Sequence, residues 1–161
     1  MKIEMERKFL LSEKNKNYIT PQFYKLQFGK EEIIEEITQG YLTYKPNYEV
    51  RVREILSQGQ SKHFLTLKLG NGLKRTECEI EITPIIFTEF WRLIKGKGVK
   101  KIRKKVLEKT TGLILEIDTY LDRDLCVVEV ESNNIRKLKA FPLIGKDVTG
   151  IQKYKNCNLA K

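Results

Sequence analysis

Histidine is almost missing from this chain, with His63 the only one, and the three cysteines, Cys78, Cys126 and Cys157, are odd in number and far apart. That scarcity excludes a zinc centre of imidazole and thiolate ligands, which requires close spacing. It also leaves little room for histidine-based catalysis; His63 follows Lys62 ahead of a strand and reads as a surface or strand-end residue. We expect the cysteines to be reduced, with Cys78 and Cys126 on apolar strand faces. No eighteen-residue apolar run is present and the first residues lack the apolar core of a leader peptide, so the expectation is a cytoplasmic protein with no membrane partner. Internal repeats, low-complexity tracts, a Gly-rich phosphate loop, a helix-turn-helix pattern and an aromatic-studded RNA-binding strand are all missing, which argues against a nucleic-acid partner. With 161 residues and 18.9 kDa, one domain over residues 1–161 is expected.

Charge is abundant instead. Thirty-one Lys and Arg against 21 Asp and Glu give a net charge of +10, which suggests a polyanion or a phosphate-rich small molecule as partner. Many surplus lysines fall in residues 95–105 and 153–161 and are compatible with a merely solvated surface. More telling is how the charges are spaced. Glu4, Glu6 and Lys8 alternate with Met5, Arg7 and Phe9, so in a strand they share one face. The pattern recurs at Arg51 and Arg53, Thr66 and Lys68, Arg75, Glu77, Glu79 and Glu81, Lys101, Arg103 and Lys105, Glu116 and Asp118, and Glu129 and Glu131. Eight strands are predicted, at 2–11, 37–44, 48–57, 61–70, 74–83, 99–107, 112–121 and 125–132, and seven carry a charged face.

Leu69-Gly70-Asn71-Gly72 and Thr110-Thr111-Gly112 are hairpin signals, because Asn and Gly tolerate positive φ. Pro84 opens a helical run whose apolar face includes Phe87, Phe90, Trp91 and Ile94, with Trp91 read as packing. A short helix is predicted at 134–141, and some helix between 12 and 36. Eight sequential antiparallel strands can close into a barrel. The ionic faces then point either to solvent or into a wet lumen. An apolar helix needing a surface to cover, and Glu-x-Glu and Arg-x-Arg clusters with no role outside, favour the lumen. Carboxylates without histidine or thiolate partners suit Mg²⁺ or Mn²⁺, and Arg and Lys neutralise phosphate.

The run Glu4-x-Glu6-x-Lys8 resembles the ExExK motif of the triphosphate tunnel metalloenzymes, the CYTH superfamily. Gln39-Gly40-Tyr41-Leu42, Val50-Arg51-Val52-Arg53, Leu65-Thr66-Leu67-Lys68, Arg75-x-Glu77-x-Glu79, Lys101-x-Arg103, Glu116-Ile117-Asp118-x-Tyr120, Val128-Glu129-Val130-Glu131 and Asp147-Val148-Thr149 follow in the family's order. The resemblance implies a mainly β, α+β fold: a closed eight-stranded antiparallel β-barrel tunnel with helices packed outside. It implies Glu4, Glu6, Glu116, Asp118, Glu129 and Glu131 as metal ligands for Mg²⁺ or Mn²⁺, two ions with substrate. Lys8, Arg51, Arg53, Lys68, Arg75, Lys101 and Arg103 match triphosphate-binding cations. Lys8, Tyr41, Glu77 and Glu79 match catalytic positions. Ile151 and Lys153 stand where relatives often carry Asp and Arg, and the stretch between the first two strands is longer than usual. The implied activity is metal-dependent hydrolysis of inorganic triphosphate to pyrophosphate and phosphate. Adenylate cyclase, thiamine or nucleoside triphosphatase, and non-catalytic polyphosphate binding are the alternatives, and a homodimer is compatible with the sequence.

Overall fold

A computed structural model describes residues 2–11, 33–70, 74–95, 97–141 and 145–160. The helix expected within 12–36 lies outside the described residues up to position 32, and residues 33–36 belong to a strand. The Asn71-Gly72 turn and Pro142 also lie outside them. The order is β1 (Lys2–Leu11), β2 (Ile33–Lys45), β3 (Tyr48–Ser57), β4 (Gln60–Leu69), β5 (Lys74–Ile82), α1 (Pro84–Ile94), β6 (Gly98–Leu107), β7 (Ile114–Tyr120), β8 (Cys126–Ser132), α2 (Ile135–Ala140), β9 (Lys146–Asp147), a 3₁₀ turn (Gln152–Tyr154) and α3 (Asn156–Leu159). The strands form one antiparallel sheet in the order β5-β4-β3-β2-β6-β7-β8-β1-β9.

The expected mainly β, antiparallel fold with few helices is present, but the sheet does not close into the expected full barrel. The sheet curls until β1 pairs with β5, but only from Lys2↔Glu77 to Met5↔Lys74. From Met5 onward β1 pairs with β8, and Phe9 and Leu10 pair with the two-residue strand β9. The seam is therefore short rather than a ladder along the whole of β1. Beside it runs the C-terminal segment: Val148 N donates to Lys8 O (2.8 Å), and Lys8 N donates to Thr149 Oγ1 (3.0 Å). Those bonds satisfy strand groups that would otherwise stay unpaired.

The apolar faces turn outward and are covered in two places, while Ile3 and Ile80 stay exposed. Phe9, Leu11, Val106, Leu115, Ile117, Val128 and Val130 pack with Leu138 of α2 and with Phe141. Val52, Leu42 and Leu65 pack under Phe87, Trp91 and Ile94 of α1. Thr83 caps α1 by accepting from Ile86 N (3.3 Å), Pro84 fills its first turn, and Lys95 ends it at φ 56°. Gly40 and Gly98, paired across β2 and β6, let α1 approach: a Cβ on either would lie within 3.0 Å of Trp91. His63 is not a surface residue as expected; it is buried against Phe87, ring centroids 4.9 Å apart, with Nε2 3.3 Å from Glu54. Cys78 is exposed and Cys126 buried, and neither forms a disulfide among the described residues.

A third apolar cluster lies on the inner face. Leu10, Val99, Tyr120 and Val127 lie two residues from Lys8, Lys101, Asp118 and Glu129, so they continue the inward face, and they pack on Leu159 of α3 at one end of the curled sheet. No helix among the described residues is long and apolar enough to cross a membrane.

Candidate active site

The charged faces do point inward. They line a cavity of about 570 Å³ together with residues of the C-terminal segment. Glu6, Lys8, Tyr41, Arg51, Arg53, Lys68, Arg75, Glu77, Glu79, Arg103, Glu116, Glu129 and Glu131 all reach its wall. Strand alternation is the local cause: a residue two along from an inward charge is also inward. A bulge between Tyr41 and Thr43 shifts the pleat of β2 by one residue, so Tyr41 pairs with Arg51 and Tyr44 with Glu49.

Two predicted site residues are elsewhere. Lys101 and Asp118 are fully buried, hydrogen-bonded to each other, and do not line the cavity. Asp118 also accepts from Arg103 Nε (2.7 Å) and Nη2 (2.8 Å). In this arrangement Asp118 orients Arg103 from behind, and Lys101 completes the buried ion pair. Burial and the neighbouring Arg103 push the Lys101 ammonium down to about 8, against the pull of Asp118. Glu4 is opposite Arg75 in the strand register, but its side chain lies outside those described.

Most cations at the wall hold a carboxylate. Lys8 Nζ is 2.6 Å from Glu129 Oε1 and 3.7 Å from Glu6 Oε1. Lys68 is 2.7 Å from Glu77, Arg75 is 3.0 Å from Glu6, and Lys105 is 2.7 Å from Glu35. Arg103 joins Glu116, Asp118 and Glu129. These contacts set the protonation states. Burial opposes charge on Lys8, yet Glu129 and Glu6 overcome it and raise its pKa, so Lys8 is an ammonium. Burial likewise opposes ionisation of Glu129 and Glu77, but Lys8 and Lys101 hold the first well below the usual range and Lys68 lowers the second. Tyr41 is driven well above its ordinary value by burial and by Glu49, and stays a phenol.

Among the described residues three buried atoms lack a hydrogen-bond partner: Arg51 Nε, Glu35 Oε2 and Glu129 Oε1, the last lying 2.6 Å from Lys8 Nζ. Leaving such atoms unsatisfied costs about 1–3 kcal/mol each, which a ligand carrying both a cation and anionic oxygens would recover. Among the described residues no three acidic, histidine or cysteine side chains already converge as a ready ligand cluster. The donors are nonetheless all oxygen: Glu6 pairs with Glu131, and Lys8 with Glu129, across β1 and β8. That set fits a hard divalent cation rather than zinc or copper.

Sequence reasoning missed Glu35, Glu49 and Gln39 as members of this network. Glu49 was legible, since it continues the face of Arg51 and Arg53. Glu35 and Gln39 also obey the alternation, but apolar Ile37 between them interrupts the ionic signal. Thr66 donates to Glu79 Oε2 (2.7 Å), and Tyr154 O accepts from Lys8 Nζ (3.2 Å). Ile151 lines the cavity, whereas Lys153 is exposed and lies over the Tyr154 ring, 4.8 Å from its centroid.

A family model for the CYTH domain matches residues 2–140. Over 129 residues the chain is 35% identical to an inorganic triphosphatase of Nitrosomonas europaea, a match covering 77% of this chain and 83% of that protein. It is 32% identical over 128 residues to an inorganic triphosphatase of Acetivibrio thermocellus, covering 76% and 78% respectively. A solved structure of an inorganic triphosphatase aligns at 30% identity with a TM-score of 0.60, over 99% of this chain and 95% of that one.

Proposed function

The chain belongs to the CYTH domain family, whose membership implies dependence on a divalent metal, and from that premise we propose that it hydrolyses inorganic triphosphate to pyrophosphate and phosphate. The observation that carries the proposal is the inward ionic cavity, where Arg51, Arg53, Lys68, Arg75 and Arg103 face a wall of carboxylates. The curled sheet then works as the family's tunnel, with its filled end behind the substrate, and the whole chain acts as one domain.

Glu6, Glu129 and Glu131, with Glu4 and Glu116, would hold Mg²⁺ or Mn²⁺, two ions when substrate is present. Such ions supply charge neutralisation on the phosphoryl oxygens and acidify the attacking water. The protein's own groups do the rest. Arg51 and Arg53 grip phosphate oxygens with guanidinium forks, while Lys68 and Lys8 act as point charges. Asp118 keeps Arg103 from turning away, acting on the substrate only through that guanidinium. As water adds to the terminal phosphorus and the P–O bond breaks, negative charge builds on the bridging oxygen that departs with pyrophosphate, where these fixed cations stabilise it without reorganising. Glu79, anchored through Oε2 by Thr66, takes the proton of the water. Glu77, kept ionised by Lys68, holds that lysine in place.

Phosphate release from inorganic triphosphate by the purified protein with Mg²⁺ or Mn²⁺ tests this reading. Loss of turnover in Glu6→Ala is expected. The reading falls if triphosphate yields no phosphate while another triphosphate is hydrolysed readily. Ile55 and Phe64 on the cavity wall offer apolar contact to an organic group and favour ATP as a second substrate. Cyclic AMP formed from ATP would then mark a cyclase.

A further inference from the structure

Arg53 stands apart from most of the cavity cations. Lys8, Arg51, Lys68, Arg75, Arg103 and Lys105 each have a carboxylate within 4.0 Å. Among the described residues Arg53 is held instead by a neutral amide: its Nε donates to Gln39 Oε1 at 2.8 Å. The same amide continues the chain, since Gln39 Nε2 donates to Tyr41 Oη at 2.6 Å. Gln39 is fully buried and does not line the cavity, whereas Arg53 and Tyr41 both do.

The direction of these bonds is dictated by chemistry. A guanidinium can only donate, so the amide must turn its oxygen to Arg53 and its NH₂ to Tyr41. Tyr41 therefore accepts, and its own O–H proton is left for a ligand in the cavity. With Nε tied, the two Nη groups of Arg53 are the remaining donors. A carboxylate at position 39 would make the same bond to Arg53 but would cancel its charge.

We propose that Gln39 is a positioning residue of the triphosphate site: its neutral amide aims Arg53 and Tyr41 into the cavity while leaving Arg53 a net positive charge for an anionic phosphoryl group. This rests on the triphosphate reading and deepens it. Burial and the adjacent Arg51 and Arg103 lower the Arg53 pKa to about 10, which Glu79 and Glu116 offset only in part, consistent with a site that an anion would relieve.

Two near-isosteric variants separate this role from simple packing. Glu at position 39 keeps the acceptor for Arg53 and adds a charge; Met removes both hydrogen bonds and adds none. The full chain, its metal removed by chelation, is titrated calorimetrically at pH 8 with inorganic triphosphate, and KM and kcat are measured with Mg²⁺. Gln39→Glu should weaken triphosphate binding and raise KM at least tenfold, and more than Gln39→Met does, even though Gln39→Glu unfolds at the higher temperature. A structural role predicts the opposite order, with affinity following thermal stability. That order, or a Gln39→Glu dissociation constant within twofold of wild type, overturns the proposal. If Gln39→Met does not fold, the comparison of Gln39→Glu with wild type still decides. Wild-type protein that binds triphosphate without hydrolysing it would sink the proposed function while leaving this comparison readable.

Discussion

Gly98→Ala should destabilise this protein more than the loss of a glycine usually does, and the structure says why. Gly98 lies in β6 opposite Gly40 of β2, where α1 presses on the sheet. A Cβ at position 98 would sit 2.7 Å from Gln39 O and 2.7 Å from Trp91 Cη2. Each contact is about 0.7 Å short of ordinary van der Waals separation. Gln39 O belongs to a strand held in ladders with both β3 and β6, so it has no rotamer with which to retreat. Overpacking costs about 1–3 kcal/mol, and the stiffer unfolded chain returns about 0.4–1 kcal/mol. Because backbone must move, the upper part of the range applies, and we expect a net loss of about 2 kcal/mol. Gly40→Ala meets Ile94 Cδ1 at 2.8 Å and Trp91 Cζ3 at 3.0 Å, side-chain atoms that can shift, and should cost about half as much. Urea unfolding monitored by Trp91 fluorescence gives both values at constant slope. If Gly98→Ala were the milder of the two, the reasoning that backbone cannot yield here would be wrong.

Three further outcomes follow from other parts of the molecule. Phe9→Ala, at a fully buried ring 5.9 Å from Phe141, should lower stability by about 3–5 kcal/mol in the same unfolding assay. Glu108 accepts from Thr110 N and Thr111 N, both at 2.7 Å, and from the Thr111 hydroxyl; against the opposing effect of burial these bonds lower its pKa. A depressed carboxyl stabilises the fold above its unfolded value of 4.5 and stops doing so as pH falls through the folded value. Wild type should thus exceed Glu108→Gln by about 1–2 kcal/mol at pH 7, the gap closing below pH ~4.5 in denaturation at a series of pH values. Lys68→Met removes one charge-assisted phosphate contact worth about 1.5–3 kcal/mol, so kcat/KM for triphosphate should fall about 10- to 150-fold.

The period-two alternation made the inward ionic wall legible because a strand has only two faces, and clusters such as Glu129 and Glu131 have little reason to be placed together on the outer one. Trp91 was legible as packing for the corresponding reason in a helix, the 3.6-residue spacing of its apolar neighbours. Closure of the sheet was harder to read. Alternation says which way a side chain faces but not how long the β1–β5 seam is, and here the C-terminal segment runs alongside the remainder of β1. Depth along the curled sheet was equally hidden. Lys101 and Arg103 look alike in sequence, yet Lys101 is sunk beside Asp118 while Arg103 reaches the cavity. His63 was misjudged because the apolar cover over it comes from α1, more than twenty residues away.

By itself the sequence determined the strands, the facing of their charges and the kinship that those residues carry, since each depends on local spacing and residue type. Only the tertiary structure decided which charges are paired, which are spent behind the wall, and that Arg53 leans on the neutral amide of Gln39. Those are properties of neighbours brought together from separate strands, and spacing along one strand does not encode them.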